Sequence, residues 1–183
     1  MAAIGEQSLR WFAAERVEAA PGCMDVAELV RDYSGLLYRV ALSVLRNTAE
    51  AEDVVQDTFV RVLQQKEKLG AVVQVRPWLV RICWNLALDR RRRVRPAQMD
   101  EVFAAGLVAV EIAADRAMVE AGRMRQVLGA IEKLPGRERE ALLLSAMDEL
   151  SMAEIAAVLG RSESSVRSLL FRARTRLRER LAE

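Results

Sequence analysis

Ser151 to Arg180 reads SMAEIAAVLGRSESSVRSLLFRARTRLRER, two helices joined by a tight turn. Ser151 caps the first helix, and Glu154 three residues on completes a capping box. Met152, Ile155, Ala156 and Leu159 recur at helical spacing. Gly160 supplies the permissive backbone that a helix C-terminus favours. Ser162 caps a second helix, where Val166, Leu169, Leu170, Ala173 and Leu177 form one apolar stripe. The opposite face carries Ser164, Ser165, Arg167, Ser168, Arg172 and Arg174. A short helix, a glycine turn and a second helix opening on small polar and Arg side chains is a helix-turn-helix pattern. Such a helix N-terminus brings backbone N–H groups to phosphates and side chains to base edges. A plain helical hairpin with a solvated basic face fits the same residues.

Outward from this stretch, the charge is unevenly placed. The 183 residues carry a net charge of only +2, with 52% hydrophobic and 5% aromatic residues. Ala, Leu, Val, Arg and Glu dominate, which points to an all-α chain. Residues 76–95 hold seven Arg against one acid, Asp89. Residues 161–180 hold seven Arg against Glu163 and Glu179. Residues 48–58 hold Glu50, Glu52, Asp53 and Asp57 and no base. Two basic surfaces and a separate acidic one suggest nucleic acid twice and a basic protein partner once. Solvated helix faces are the plainer reading of any single cluster.

The absence of His removes Cys/His zinc sites and His-based acid–base chemistry. Cys23 and Cys83 match no metal or redox spacing. No phosphate loop, Gly-rich fingerprint or nucleophile–His pair is present, so no enzyme, cofactor, metal or small-molecule substrate is expected. No run of 18 apolar residues and no signal-peptide pattern occur. A cytoplasmic location is expected.

In chain order, residues 1–24 form an N-terminal extension with no assigned function. An amphipathic helix follows from Asp25 to Arg46 through Val26, Leu29, Val30, Tyr33, Leu37, Val40, Ala41 and Val44. Thr48 is expected to cap the next helix, which buries Val55, Phe59, Val62 and Leu63 and exposes Glu52, Asp53, Gln56 and Asp57. Acids near a helix N-terminus suit its dipole, but no Lys or Arg stands at i+4 from Glu50, Glu52 or Asp53 to pair with them. Residues 66–75 read as a loop, and the helix from Arg76 to Arg93 buries Leu79, Ile82, Cys83 and Leu86. Trp78 belongs to its core, whereas Trp84 is a candidate stacking platform for an unpaired base. Residues 96–114 read as an irregular acidic linker. Helices over about 115–134 and 137–147 then lead into the helix-turn-helix.

Three stretches carry a resemblance: AEDVVQDTFVRV at 51–62, RPWLVRICWNLALDRRRR at 76–93, and residues 134–179 ending in the helix-turn-helix. In this order and spacing the chain resembles an extracytoplasmic-function (ECF) sigma factor of the sigma-70 family. The resemblance implies two small helical domains, region 2 at 25–95 and region 4 at 115–183, joined by the linker 96–114. It implies that Glu52, Asp53, Gln56 and Asp57 dock on the β′ clamp helices of core RNA polymerase, with region 4 meeting the β flap. Arg76, Trp84, Asn85, Asp89 and Arg92 would engage the minus-ten promoter DNA, Asn85, Asp89 and Arg92 matching the family's N-x-x-x-D-x-x-R pattern. Ser164, Ser165, Arg167, Ser168, Phe171 and Arg172 would read the minus-thirty-five element. An anti-sigma factor is implied as a further partner. The chain departs from the family in the loop 66–75, which is apolar with Val72, Val73 and Val75 and holds no Asn or aromatic. The contact to a flipped minus-ten base is therefore left unassigned. The rival reading is a free-standing helix-turn-helix regulator that binds duplex DNA without polymerase, and the acidic helix separates the two, since a free regulator has no need of it.

Overall fold

A computed structural model describes residues 26–65, 72–93, 114–147 and 149–182, with backbone alone over 114–121. The extension 1–24, residues 66–71 of the expected loop and residues 96–113 of the expected linker lie outside them. Seven helices make up the described chain, with no strand among the described residues: α1 (Val26–Leu45), α2 (Thr48–Gln64), α3 (Val75–Arg93), α4 (Ala114–Glu132), α5 (Gly136–Ser145), α6 (Met152–Leu159) and α7 (Glu163–Ala182).

Helices α1, α2 and α3 pack mutually, and α5, α6 and α7 form a second group with α4 against α7. Leu37, Val40 and Ala41 of α1 are fully buried with Val54 and Val62 of α2 and Trp78, Leu79 and Cys83 of α3. Two polar side chains of this core bond to backbone carbonyls, one within its own helix and one across to α1. Thr58 Oγ1 donates to the Val54 carbonyl at 2.7 Å, and Cys83 Sγ donates to the Leu37 carbonyl at 3.4 Å. Burial pushes the Cys83 thiol up to about 12.

Several local expectations need adjustment. Asn47, not Thr48, is the N-cap of α2, its side chain accepting from the Glu50 amide at 3.0 Å. The buried stripe of α2 is Ala51, Val54, Thr58, Phe59 and Val62, while Leu63 is 52% exposed. Val55, expected inside, is half-buried, and Val54 one residue before it is buried instead. On α3, Ile82 and Leu86 are only half-buried, whereas Pro77, Trp78, Val80, Trp84 and Ala87 join Leu79 and Cys83 inside. This helix is covered on two sides, by α1 and α2 and by α6, so its buried surface is wider than one stripe.

The helix-turn-helix forms as its residues dictate. Glu154 and Ser151 exchange both capping-box hydrogen bonds. Gly160 takes a left-handed conformation at φ 63°, and the Arg161 amide reaches back to the Ala156 carbonyl at 2.9 Å. Together these form the Schellman termination that glycine favours. Ser162 Oγ accepts from the Ser165 amide at 3.3 Å and starts α7. Arg46 is the only non-glycine residue with positive φ among the described residues, at 54°, and it ends α1.

The apolar core is continuous across the two helix groups. Helix α6 lies on α3, and α5 touches α1. Polar contacts frame this junction. Arg39 pairs with Glu149. Arg76 donates to the Glu149 carbonyl at 2.9 Å and lies 3.5 Å from the Glu154 carboxylate. Arg81 donates to the Ala157 carbonyl at the end of α6 at 3.3 Å. Glu132, at the end of α4, meets Arg46 at 3.1 Å and Arg91 at 3.5 Å.

Candidate nucleic-acid and polymerase interfaces

Helix α7 presents the clearest candidate surface. Val166, Leu169, Leu170 and Ala173 anchor it in the core. Ser164, Arg167, Ser168, Phe171 and Arg172 are exposed on the other side, with Ser165 half-buried beside them. Phe171 is 69% exposed. Arg167 donates to Glu163 one turn back at 2.7 Å, so its guanidinium is held near the helix N-terminus. Ser168 Oγ donates to the Ser164 carbonyl at 3.0 Å, and the Ser162 and Ser164 hydroxyls lie 3.1 Å apart. The result is a polar, small-residue surface with one Arg at its front, a shape suited to groove entry.

Arg172 and Arg176 turn toward a residue that the sequence did not single out. Glu138 of α5 is 5% exposed. Its Oε1 lies 3.5 Å from Arg172 Nε, and its Oε2 lies 3.4 Å from Arg176 Nη1. In GRERE the Glu looks like one more surface charge; its position as the third residue of a helix packed on α7 buries it.

The acidic surface of α2 is present, with Glu52, Asp53, Gln56 and Asp57 all exposed. It is not without a basic partner, as local spacing suggested. Arg90 of α3 pairs with Glu50, lies 2.7 Å from Asp53 and 3.6 Å from Asp57. A partner on a neighbouring helix is invisible to i+4 counting. A cavity of about 530 Å³ opens at this seam, lined among others by Val54, Val60, Leu86, Asp89 and Arg93.

On α3 the five residues assigned to minus-ten DNA do not share one environment. Asn85 and Asp89 are half-buried and Arg92 is exposed, 3.4 Å from Asp89. Their spacing of four and three keeps them on one face. Arg76 is engaged by Glu149 and Glu154 of the second helix group. Trp84 is 2% exposed, so in this arrangement its ring is core and is not presented for stacking. It lines a cavity of about 320 Å³ with Val44, Arg92, Arg139, Glu140 and Leu143. Burial raises the Glu140 pKa there, against the opposing pull of Arg139 and Arg92.

Among known proteins, residues 29–97 match the family description Sigma-70 region 2, and residues 124–177 match Sigma-70, region 4. The chain is 29% identical over 166 residues to the ECF RNA polymerase sigma factor SigW of Bacillus subtilis, covering 86% of this chain and 89% of SigW. It is 30% identical to the ECF sigma factor SigM of the same organism, covering 85% of this chain and 94% of SigM. The chain belongs to the ECF RNA polymerase sigma factors. This sigma factor also superposes on the solved structure of CnrH in complex with the cytosolic domain of CnrY, with a TM-score of 0.64 at 27% identity, covering 96% of each chain. The region 2 match ends within four residues of Arg93 at the end of α3, and the region 4 match starts within α4. No described helix is long and apolar enough to cross a membrane.

Proposed function

We propose that this sigma factor directs core RNA polymerase to its promoters with three surfaces of its own. The exposed acids of α2 dock on the polymerase clamp. Asn85, Asp89 and Arg92 of α3 face the minus-ten element. The front of α7, from Ser164 to Arg172, reads the minus-thirty-five element in the major groove. The chain acts by recognition and performs no catalysis, and it works in the cytoplasm beside polymerase. An anti-sigma protein is its regulator, a reading supported by the likeness to CnrH bound to CnrY. The domains run over 25–95 and 115–183, with 96–114 as the connection. The free-standing regulator is disfavoured, because both sigma-70 regions are matched in order.

The observation that carries the reading is α7: a helix fixed by four core residues and a serine cap that leaves Arg167 and Phe171 projecting outward. Arg167 is the residue expected to specify a base, because Arg pairs with the two acceptors of guanine, worth about 1–3 kcal/mol of discrimination. Run-off transcription with core polymerase over a randomised promoter library tests the whole. The wild-type chain should select a defined pair of elements, and Arg167→Ala should relax selection at one position of the upstream element. Transcription indifferent to the library, or an Arg167→Ala variant that weakens every sequence equally with a lower salt slope, would refute the corresponding assignment.

A further inference from the structure

Glu138 is a buried carboxylate that the promoter-reading surface does not itself present. It sits on α5, 5% exposed, behind the exposed face of α7. Its two oxygens face two guanidiniums one turn apart on α7, Arg172 at 3.5 Å and Arg176 at 3.4 Å. Oε2 has no hydrogen-bond partner despite its burial, so the interaction with Arg176 is an ion pair without hydrogen-bond geometry. A buried charge in this state is costly and persists where it is compensated. Arg172 and Arg176 supply two positive charges to its one, and both are about half exposed.

We propose that Glu138 is a positioning residue for promoter binding: it orients Arg172 and Arg176 so that their remaining N–H groups meet the DNA backbone beside the minus-thirty-five element. A free Arg side chain on a helix samples many rotamers, and fixing it on contact with DNA costs entropy. Glu138 fixes both before DNA arrives, on a rigid element packed against α7. Each guanidinium carries five donors. One carboxylate oxygen each leaves most of them facing outward. The triad retains one net positive charge, so it still attracts phosphate. This inference rests on the reading of α7 as the minus-thirty-five helix.

The proposal makes a sign prediction that plain electrostatics contradicts. Removing a negative charge near DNA should tighten binding to any duplex through Coulomb attraction. If Glu138 acts by positioning, its removal weakens binding to the selected duplex instead. The test uses the full chain and two probes: a short duplex selected by the wild-type protein with core polymerase from a randomised library, and the same duplex with its minus-thirty-five element scrambled. Glu138→Ala should bind the selected duplex about tenfold more weakly, the scale of one lost positioned contact, while binding the scrambled one equally or more tightly. Glu138→Gln keeps the shape and an acceptor without the charge and should recover part of the loss. In an Arg172→Ala, Arg176→Ala background, Glu138→Gln should have no further effect, as coupling in a double-mutant cycle requires. Should Glu138→Ala fail to fold by circular dichroism, Glu138→Gln and the cycle decide alone. Selected-duplex affinity unchanged or raised in Glu138→Gln, or equal loss in the Arg-free background, overturns the positioning role. A wild-type chain that cannot tell the two duplexes apart overturns the reading of α7 on which it rests.

Discussion

Replacing Glu132 with Ala should loosen the junction between the two helix groups. Glu132 closes α4 and receives Arg46 of α1 at 3.1 Å and Arg91 of α3 at 3.5 Å. Its backbone carbonyl also accepts from Arg139 of α5 at 2.7 Å. The Arg46 side chain is 10% exposed and that of Glu132 is 42% exposed. Burial lowers the Arg46 pKa, Glu132 opposes that, and Arg91 and Arg139 add to the lowering by repulsion. Without the carboxylate, the nearly buried guanidinium keeps its hydrogen bond to the Leu128 carbonyl at 3.4 Å but loses the charge that opposes Arg91 and Arg139. Removing one partner of a fully buried ion pair costs about 3–5 kcal/mol. Screening at the half-exposed glutamate reduces this toward about 2 kcal/mol. Each 1.4 kcal/mol is a factor of about ten, so the closed arrangement should lose about thirtyfold in population relative to an open one. Fluorescence transfer between dyes on the exposed faces of α1 and α7 measures that population directly. Glu132→Ala should lower transfer, and raising the salt of the wild-type protein should move it the same way by a smaller step. Transfer unaltered in Glu132→Ala would refute the argument and place the holding energy in the apolar contact of α3 with α6.

Three further outcomes are expected. Gly160→Ala forces an L side chain into the left-handed conformation at φ 63° and should cost about 1–2 kcal/mol of stability in urea titration, with no clash to add, since the nearest foreign atom to a new Cβ is Arg81 Nη2 at 3.8 Å. Cys83, raised to about 12 by burial, should resist iodoacetamide at pH 8.5 in a Cys23→Ser background. Because its folded pKa lies above that of the free thiol, its stabilising share is complete below about pH 8.5 and lost as pH climbs toward 12, so the urea midpoint should fall over that window and fall less in Cys83→Ala. Asp53→Lys with Asp57→Lys should abolish capture by core polymerase while far-ultraviolet dichroism stays helical, because Arg90 keeps Glu50 as partner; capture at wild-type strength would remove α2 from the docking surface.

What was legible in the sequence follows from how local the physics is. The α6–α7 hairpin is written in contiguous signals, a capping box, a left-handed glycine and a serine cap, and each forms as its residues dictate. The apolar stripe of α7 is equally plain. The misplaced features are those decided by another helix. Val55 and Leu63 give way to Ala51 and Val54 inside because packing on α1 and α3 selects one side of α2. Trp84 is interior because α3 is packed on more than one side, by α1 and α2 and by α6. The acids of α2 find Arg90 across the seam. Glu138 has the composition of a surface residue and the position of an interior one. Periodicity shows which face is apolar, but not what will cover a polar one.

The hydrogen bond from Arg81 to the Ala157 carbonyl ties the end of an eight-residue helix to the opposite helix group. So short a helix has little intrinsic persistence and depends on tertiary support. Amide deuterium uptake in α6 is therefore a gauge of the junction itself. While Arg81 holds Ala157, the Gly160 and Arg161 amides stay bonded to Ala157 and Ala156, and their exchange should track the free energy of separating the groups rather than of unfolding either one. Tagging those two amides turns the helix-turn-helix half of the molecule into its own indicator of when it has been released.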